Sequence, residues 1–383
     1  MKRFFKELHI WLSLPFGIVM AITSFTGAAL IFEKEITESI QSDYYFVEPT
    51  SSAALPLEEL LPAVEAELTE GQRITGVVID SDPERSYKVN LSEPRRAAIY
   101  VNQYTGEVLG QPERLEFFTV MFRLHRWLMD ERPENEDAVF WGKVIVGFST
   151  LAMVVVLLSG IVIWVPKTLK ALKNRSKISL RKGWHRFGYD LHVAGGIYAV
   201  LLLLVMALTG LTWSFEWYRN GFYRLFGVEI EAAGTISNGG GSRGERRERH
   251  VSDGDSSPYV LWQDVYERVA ECCADSKQIT VSSGSVSVAL DVVGNQRAAD
   301  KYQFDTSMGE ITAVDYYSSA DKRSKLRGLI YSLHVGNWGG ITTRILWFMA
   351  ALLGATLPLT GYYLWIRRKF VRKHHNARHT PTE

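Results

Sequence analysis

The sequence predicts a membrane protein with four transmembrane α-helices in two parallel repeats and two small α+β extracytoplasmic domains. Three observations lead there. The first is an internal repeat. Leu8-His9-Ile10 opens an apolar run that passes Thr26-Gly27 and ends Phe32-Glu33, and Leu191-His192-Val193 opens another through Thr209-Gly210 to Phe215-Glu216, matched without a gap. The second is a set of four apolar segments, 10–32, 140–165, 191–214 and 343–366, each close to the ~20 residues that cross a ~30 Å hydrocarbon core. The third is the placement of Lys and Arg. They gather in the N-terminus (Lys2, Arg3, Lys6), in the loop after the second segment (Lys167 to Arg186) and in the tail (Arg367 to Lys373). If all four segments span, these three regions share one side, which the positive-inside rule makes cytoplasmic.

Composition narrows the function classes. The 383 residues give room for two or three domains, and the net charge of +1 gives no support for nucleic-acid binding. The two cysteines, Cys272 and Cys273, are adjacent and cannot form a disulfide framework; they read as small residues on a helix. No H-E-x-x-H, G-x-x-x-x-G-K or dinucleotide fingerprint occurs. A zinc protease and an ATP-driven pump are therefore unsupported, and electrons, if the protein carries them, come from another protein or a membrane quinol.

In chain order, residues 1–32 form the first transmembrane helix. Its basic start and apolar run, without a convincing small-x-small cleavage site, read as an uncleaved anchor. Residues 33–139 form the first extracytoplasmic domain and an interfacial helix. Within it Leu57 to Leu68 has helical apolar spacing, and Ile74–Ile79, Tyr87–Leu91 and Ala98–Val101 read as strands. Tyr104-Thr105-Gly106-Glu107-Val108-Leu109 is a turn into a last strand. The second transmembrane helix, 140–165, leads into a basic cytoplasmic loop, 166–190. The third is 191–214. Residues 215–342 form the second extracytoplasmic domain, with a disordered linker at 234–258 rich in Gly, Ser, Arg and Glu. There Val260–Val269 reads as helix, and Ile279–Val281, Val286–Val292 and Tyr302–Phe304 read as strands. The fourth helix, 343–366, ends in a basic cytoplasmic tail, 367–383. Ser159-Gly160 and Trp164 of the second helix match Thr360-Gly361 and Trp365 of the fourth at one offset.

The chain holds nine histidines. His9, His185 and His192 fall near the cytoplasmic face. His125 and His334, in Leu124-His125-Arg126 and Leu333-His334-Val335-Gly336, fall near the outer face. A lone histidine at such depth is ordinarily an interfacial residue held by a hydrogen bond. Here both halves supply one at each face in matching local sequence, and ionisable groups near membrane depth are functional candidates. Two imidazoles from different helices at one depth are what a six-coordinate haem needs, one on each side of the iron. The reading is two haem sites, an inner one on His9 and His192 and an outer one on His125 and His334. His185 lies seven residues before His192, on the same helix face and ~10 Å away if the helix is continuous, as a substitute ligand or propionate partner. Gly17, Gly27, Gly160, Gly195, Gly196, Gly210 and Gly361 suit either a flat macrocycle or close helix packing. Arg123, Arg126, Arg186, Arg327 and Arg344 suit either haem propionates or lipid headgroups. Trp141, Trp164, Trp347 and Trp365 suit interfacial belts. His374, His375 and His379 read as part of a solvated tail.

At these residues the chain resembles the PepSY-associated transmembrane helix family. The marks are the Leu-His openings of the first and third helices, the Thr-Gly or Ser-Gly near helix ends, Leu333-His334 with Gly336 before the fourth, and the Tyr104–Leu109 turn, which looks like the end of a PepSY domain. The second domain departs from that turn at Ser307-Met308-Gly309. The resemblance implies two PepSY-like outer domains and an inner-membrane iron-regulated protein or ferric-siderophore reductase with two b-type haems on His9, His192, His125 and His334. It implies reduction of ferric-siderophore in the periplasm with release of ferrous iron, the electron donor being a cytoplasmic reductase or quinol. A competing reading is a non-enzymatic membrane-anchored PepSY module that binds peptides or restrains a peptidase. A transporter is weaker, since there are only four spans and no evident broken helix.

Overall fold

The computed structural model describes residues 1–94, 96–135, 138–228 and 258–377. The expected linker at 234–258 lies outside the described residues except for its last position, and so do His250, His379 and the side chains of His374 and His375.

Four helices are long and apolar enough to cross a membrane: Lys2–Ile31, Trp141–Trp164, Gly183–Ser214 and Gly340–Lys369. A helix pairs its backbone polar groups internally, which a hydrocarbon environment requires. Trp11, Ile18 and Phe25 of the first span are at least half exposed, the outward apolar face expected of a lipid-facing helix. Inside the bundle, Leu157, Ala199, Leu203 and Ala350 form a common buried cluster. The third span begins eight residues before the expected start at 191, because the polar stretch Gly183–Asp190 is also helical. A π-helical turn, Leu191–Gly195, joins that stretch to Gly196–Ser214.

Each half runs in the same order. A span leads to a short helix (Glu33–Ile40 or Glu216–Leu225), a covering helix (Leu57–Ala66 or Pro258–Cys272), four strands, a histidine-bearing helix (Glu116–Trp127 or Lys322–Val335) and a second span. The strands are β1 Ile74–Asp80, β2 Tyr87–Leu91, β3 Ala98–Val101, β4 Val108–Gly110, β5 Gln278–Ser282, β6 Ser285–Ala289, β7 Ala299–Phe304 and β8 Ile311–Asp315.

The two domains expected as separate units are one sheet. Its order is β4-β3-β2-β1-β5-β6-β7-β8, with every neighbouring pair antiparallel. The seam between halves is β1 against β5, with Val77 opposite Val281 and Ile79 opposite Ile279. Burial alternates along β2, β5 and β6, so one face is covered. Leu60, Leu61 and Val64 from the first covering helix and Val265 and Val269 from the second join Val77, Val89, Val281 and Val286 in a single core. The backbone N–H of Leu57 donates to Gln263 Oε1 at 2.9 Å across the halves. Gly76 sits on the seam, where a Cβ would meet the Val281 carbonyl and Ser282 Oγ at 2.6 Å. β6 stops at Ala289 rather than Val292. Beyond it the chain turns, with the Gly294 N–H bonded to the Trp338 carbonyl at 2.9 Å.

Candidate functional site

The four paired histidines share one local arrangement. His9 Nδ1 lies 3.0 Å from the Val156 carbonyl and 3.1 Å from Ser159 Oγ. His192 Nδ1 lies 3.0 Å from the Leu357 carbonyl and 3.1 Å from Thr360 Oγ1. His125 Nδ1 lies 2.8 Å from the Thr23 carbonyl and 3.3 Å from Thr26 Oγ1. His334 Nδ1 lies 3.0 Å from the Met206 carbonyl and 3.1 Å from Thr209 Oγ1. Each time the carbonyl stands three residues before the Ser or Thr and four before a glycine. Positions three and four apart share one helix face, so carbonyl, hydroxyl and glycine form one seat.

The glycine makes the seat deep enough for a ring. A Cβ at Gly27 would lie 2.9 Å from His125 Cε1, and at Gly210, Gly361 and Gly160 at 3.0, 3.3 and 3.5 Å from the Cε1 of His334, His192 and His9. These four glycines therefore accommodate imidazole edges. Gly17, Gly195 and Gly196 face Tyr362, Leu353 and Leu357 instead, and serve helix packing.

The seat also fixes the tautomer. A carbonyl only accepts, so Nδ1 carries the proton and donates to it. The Ser or Thr hydroxyl donates to a carbonyl of its own helix, as Ser159 does to Val156 at 2.9 Å and Thr209 to Val205 at 2.6 Å, leaving its oxygen to accept from Nδ1. Nε2 is then the nitrogen with a free lone pair, and a hydrogen-bonded Nδ1 is the usual support of a metal-ligating imidazole.

Each histidine is seated on a span of its own half, and the halves then bring the rings together. His9 and His192 have ring centres 6.3 Å apart, and His125 and His334 6.2 Å apart. Two imidazoles on opposite sides of one metal, at a metal–nitrogen distance of about 2.0 Å with each ring centre about 1.1 Å behind its nitrogen, have centres about 6.2 Å apart. Among the described residues no group of three or more His, Cys, Asp or Glu could hold a metal ion. Two imidazoles suit an ion that brings its other ligands, as a haem macrocycle does. The donor set, the tautomer and the spacing all fit that group.

Position in the fold separates the pairs. From His192 to Thr209 the third span runs 17 residues, about 26 Å of helix at 1.5 Å per residue. One pair therefore lies toward the basic end of the bundle and the other beneath the sheet.

The chain belongs to the PepSY-associated TM family. The family model for the PepSY-associated TM region matches residues 6–368, which takes in nearly all of the four spans, the sheet and both histidine pairs. Among curated proteins no sequence matches the chain.

Other residues of this PepSY-associated membrane protein fall differently from expectation. His185 is exposed, and its ring packs edge-on against Tyr363 with centres 6.0 Å apart. A π-helical turn, Leu191–Gly195, begins one residue before His192. Trp347 is buried, and its Nε1 donates to the Leu333 carbonyl at 2.7 Å. It is an anchor for the helix that carries His334, where the sequence suggested an interfacial belt. The same helix ends at Gly336, φ +78°, where a Cβ would lie 2.5 Å from Trp347 Cγ. No periodic signal marks Trp347, since its partner is a backbone carbonyl on another element. Three candidate arginines are committed to carboxylates: Arg123 to Glu131 at 3.2 Å, Arg186 to Asp190 at 2.9 Å and Arg344 to Glu35. Arg126, next to His125, lies over the Phe122 and Trp127 rings.

Proposed function

We propose that the protein is a di-haem b oxidoreductase of the bacterial inner membrane. It passes electrons across the bilayer to reduce ferric-siderophore in the periplasm and release ferrous iron. The basic ends of the spans are cytoplasmic, with both termini, and the sheet is periplasmic, as the distribution of Lys and Arg favours. The electron donor is a cytoplasmic reductase or a membrane quinol.

The observation that carries this reading is the pair of matched histidine couples, one toward each end of the bundle, each seated through Nδ1. His9 and His192 would hold one haem and His125 and His334 the other. Haem supplies a one-electron couple at each site. The residues of the chain do the rest. The Val156, Leu357, Thr23 and Met206 carbonyls hold the imidazoles in one tautomer and raise the basicity of Nε2. The buried Leu157, Ala199 and Leu203 keep water out of the bundle between the pairs. The substrate takes one electron per ferric ion. Siderophore oxygens favour the harder ferric ion, so the ferrous product is held less tightly.

The test is a spectrum of purified, detergent-solubilised protein, oxidised and then reduced with dithionite, followed by anaerobic addition of ferric-siderophore. The reading expects haem that reoxidises on that addition. Absence of haem in protein from cells supplied with haem precursors would refute it, and would put a peptide-binding module on the sheet in its place.

A further inference from the structure

Beneath the sheet, above the outer histidine pair, lies a cavity of about 950 Å³. That is at the upper end of the range for small-molecule sites, about 300–1,000 Å³. Its lining joins the two layers of the molecule. Lys88 of β2, Tyr100 of β3 and Arg96 of the loop between them come from the sheet, and Leu30, Val335 and Arg344 come from the helices below. Val335 directly follows His334. Leu30 lies three residues beyond Gly27, the seat of His125, or about 5 Å along the helix. An occupant of this cavity therefore rests next to the outer pair.

The charges lining it are not evenly matched. Glu33 is held by Arg114 at 2.8 Å, Glu35 by Arg344 at 2.7 Å and Glu38 by Arg85 at 3.0 Å. Those three carboxylates are neutralised within the protein. A fourth, Glu113, is exposed. Lys88 and Arg96 have no carboxylate partner within 4.0 Å among the described residues, and Lys34 makes only a loose 3.7 Å contact to Glu38. Lys88 is half-buried in the middle of the sheet. Burial, together with the nearby charge of Lys34, pulls its pKa below the ordinary lysine value, so an anion beside it would offset the cost of keeping the charge there. Arg96 is held at φ +71°, a left-handed conformation uncommon for an arginine.

We propose that this cavity is a docking site for a small anionic, oxygen-rich metal chelate, recognised by Lys88 and Arg96 with Lys34 beside them. The proposal deepens the reading of the protein as a ferric-siderophore reductase and rests on it for the choice of ligand class. It adds that the chelate binds inside the molecule, between sheet and bundle, and that its negative charge is what is recognised.

The experiment is equilibrium dialysis of the purified full-length protein against redox-inert gallium(III) chelates, with haem quantified on the same samples. The probes are an anionic gallium tris-catecholate and an uncharged gallium tris-hydroxamate. The wild-type protein is expected to bind the tris-catecholate saturably, and more weakly as salt is raised. Lys88→Gln is expected to weaken that binding at least tenfold with haem content unchanged, and to leave the tris-hydroxamate unaffected. Arg96→Asn is a second probe in an exposed loop, where Asn tolerates the positive φ, should Lys88→Gln fail to fold. Wild-type affinity in both variants, equal loss for both chelates, or no saturable binding would overturn the proposal. Charge-dependent binding by a protein without haem would keep the site and defeat the redox reading.

Discussion

At the scale of the residue, the seat made by a carbonyl, a hydroxyl and a glycine is the unit on which the proposed chemistry depends. Gly210→Val would drive a side chain into His334, whose Cε1 is already 3.0 Å from where a Cβ would stand. The expected outcome is loss of the outer haem with retention of the inner one, read as half the haem per chain. Thr209→Ala should be milder. It removes the 3.1 Å hydroxyl contact but leaves the Met206 carbonyl to hold Nδ1, and a single neutral hydrogen bond contributes about 1 kcal/mol. Haem content is expected to stay near wild type, with a small shift in one midpoint potential by spectroelectrochemistry. The four histidines and their Ser-Gly or Thr-Gly partners were legible in the sequence because the repeat displays each twice. Which histidine docks on which motif was not, because that depends on which helices pack together. For the same reason the sequence left the glycines open between macrocycle and helix packing, whereas four of them face imidazoles.

At the scale of the element, helices and strands were legible where apolar periodicity was strong, as at Leu57–Ala66 and Tyr87–Leu91. Boundaries were less so. An apolar run marks where a helix enters lipid, not where the helix begins, so Gly183–Asp190 was missed. A π-helical turn has no signature in composition, so the one at Leu191–Gly195 was not foreseen. Arg344 bonds Glu35 and the Ile31 carbonyl and stacks over Phe32 at 5.0 Å, joining the top of the first span to the start of the fourth. This contact holds the Glu35 carboxyl below its ordinary value of 4.5. A lowered folded pKa favours the folded state wherever the carboxylate is ionised. The contribution is complete above the ordinary value and is lost as pH falls through the folded one. Thermal melts between pH 7 and pH 3.5 are therefore expected to fall less steeply for Glu35→Gln than for wild type, with the variant already less stable at pH 7.

At the scale of the whole molecule, the two halves meet along one sheet seam and one bundle, and both histidine pairs lie across that junction. The sequence showed two similar halves and placed a small domain on each. It did not show that β1 and β5 pair, because an edge strand carries the same alternating pattern whether it faces solvent or another strand. Gly76→Val tests the seam. Its side chain would meet the Val281 backbone, and overpacking of this kind costs about 1–3 kcal/mol. The sheet is expected to unfold at lower denaturant and to become more sensitive to protease, while the histidine seats inside the spans are left in place.

The central claim is that His9 with His192, and His125 with His334, each form one ligand pair across the halves. The most direct measurement is haem per chain, with the low-spin signals resolved by electron paramagnetic resonance, in wild type, His192→Ala and His334→Ala. The account predicts two low-spin haems in wild type and one in each variant, with different signals surviving because the rings cross at 88° in one pair and 55° in the other. Two haems persisting in either variant, or the same signal lost from both, would contradict it.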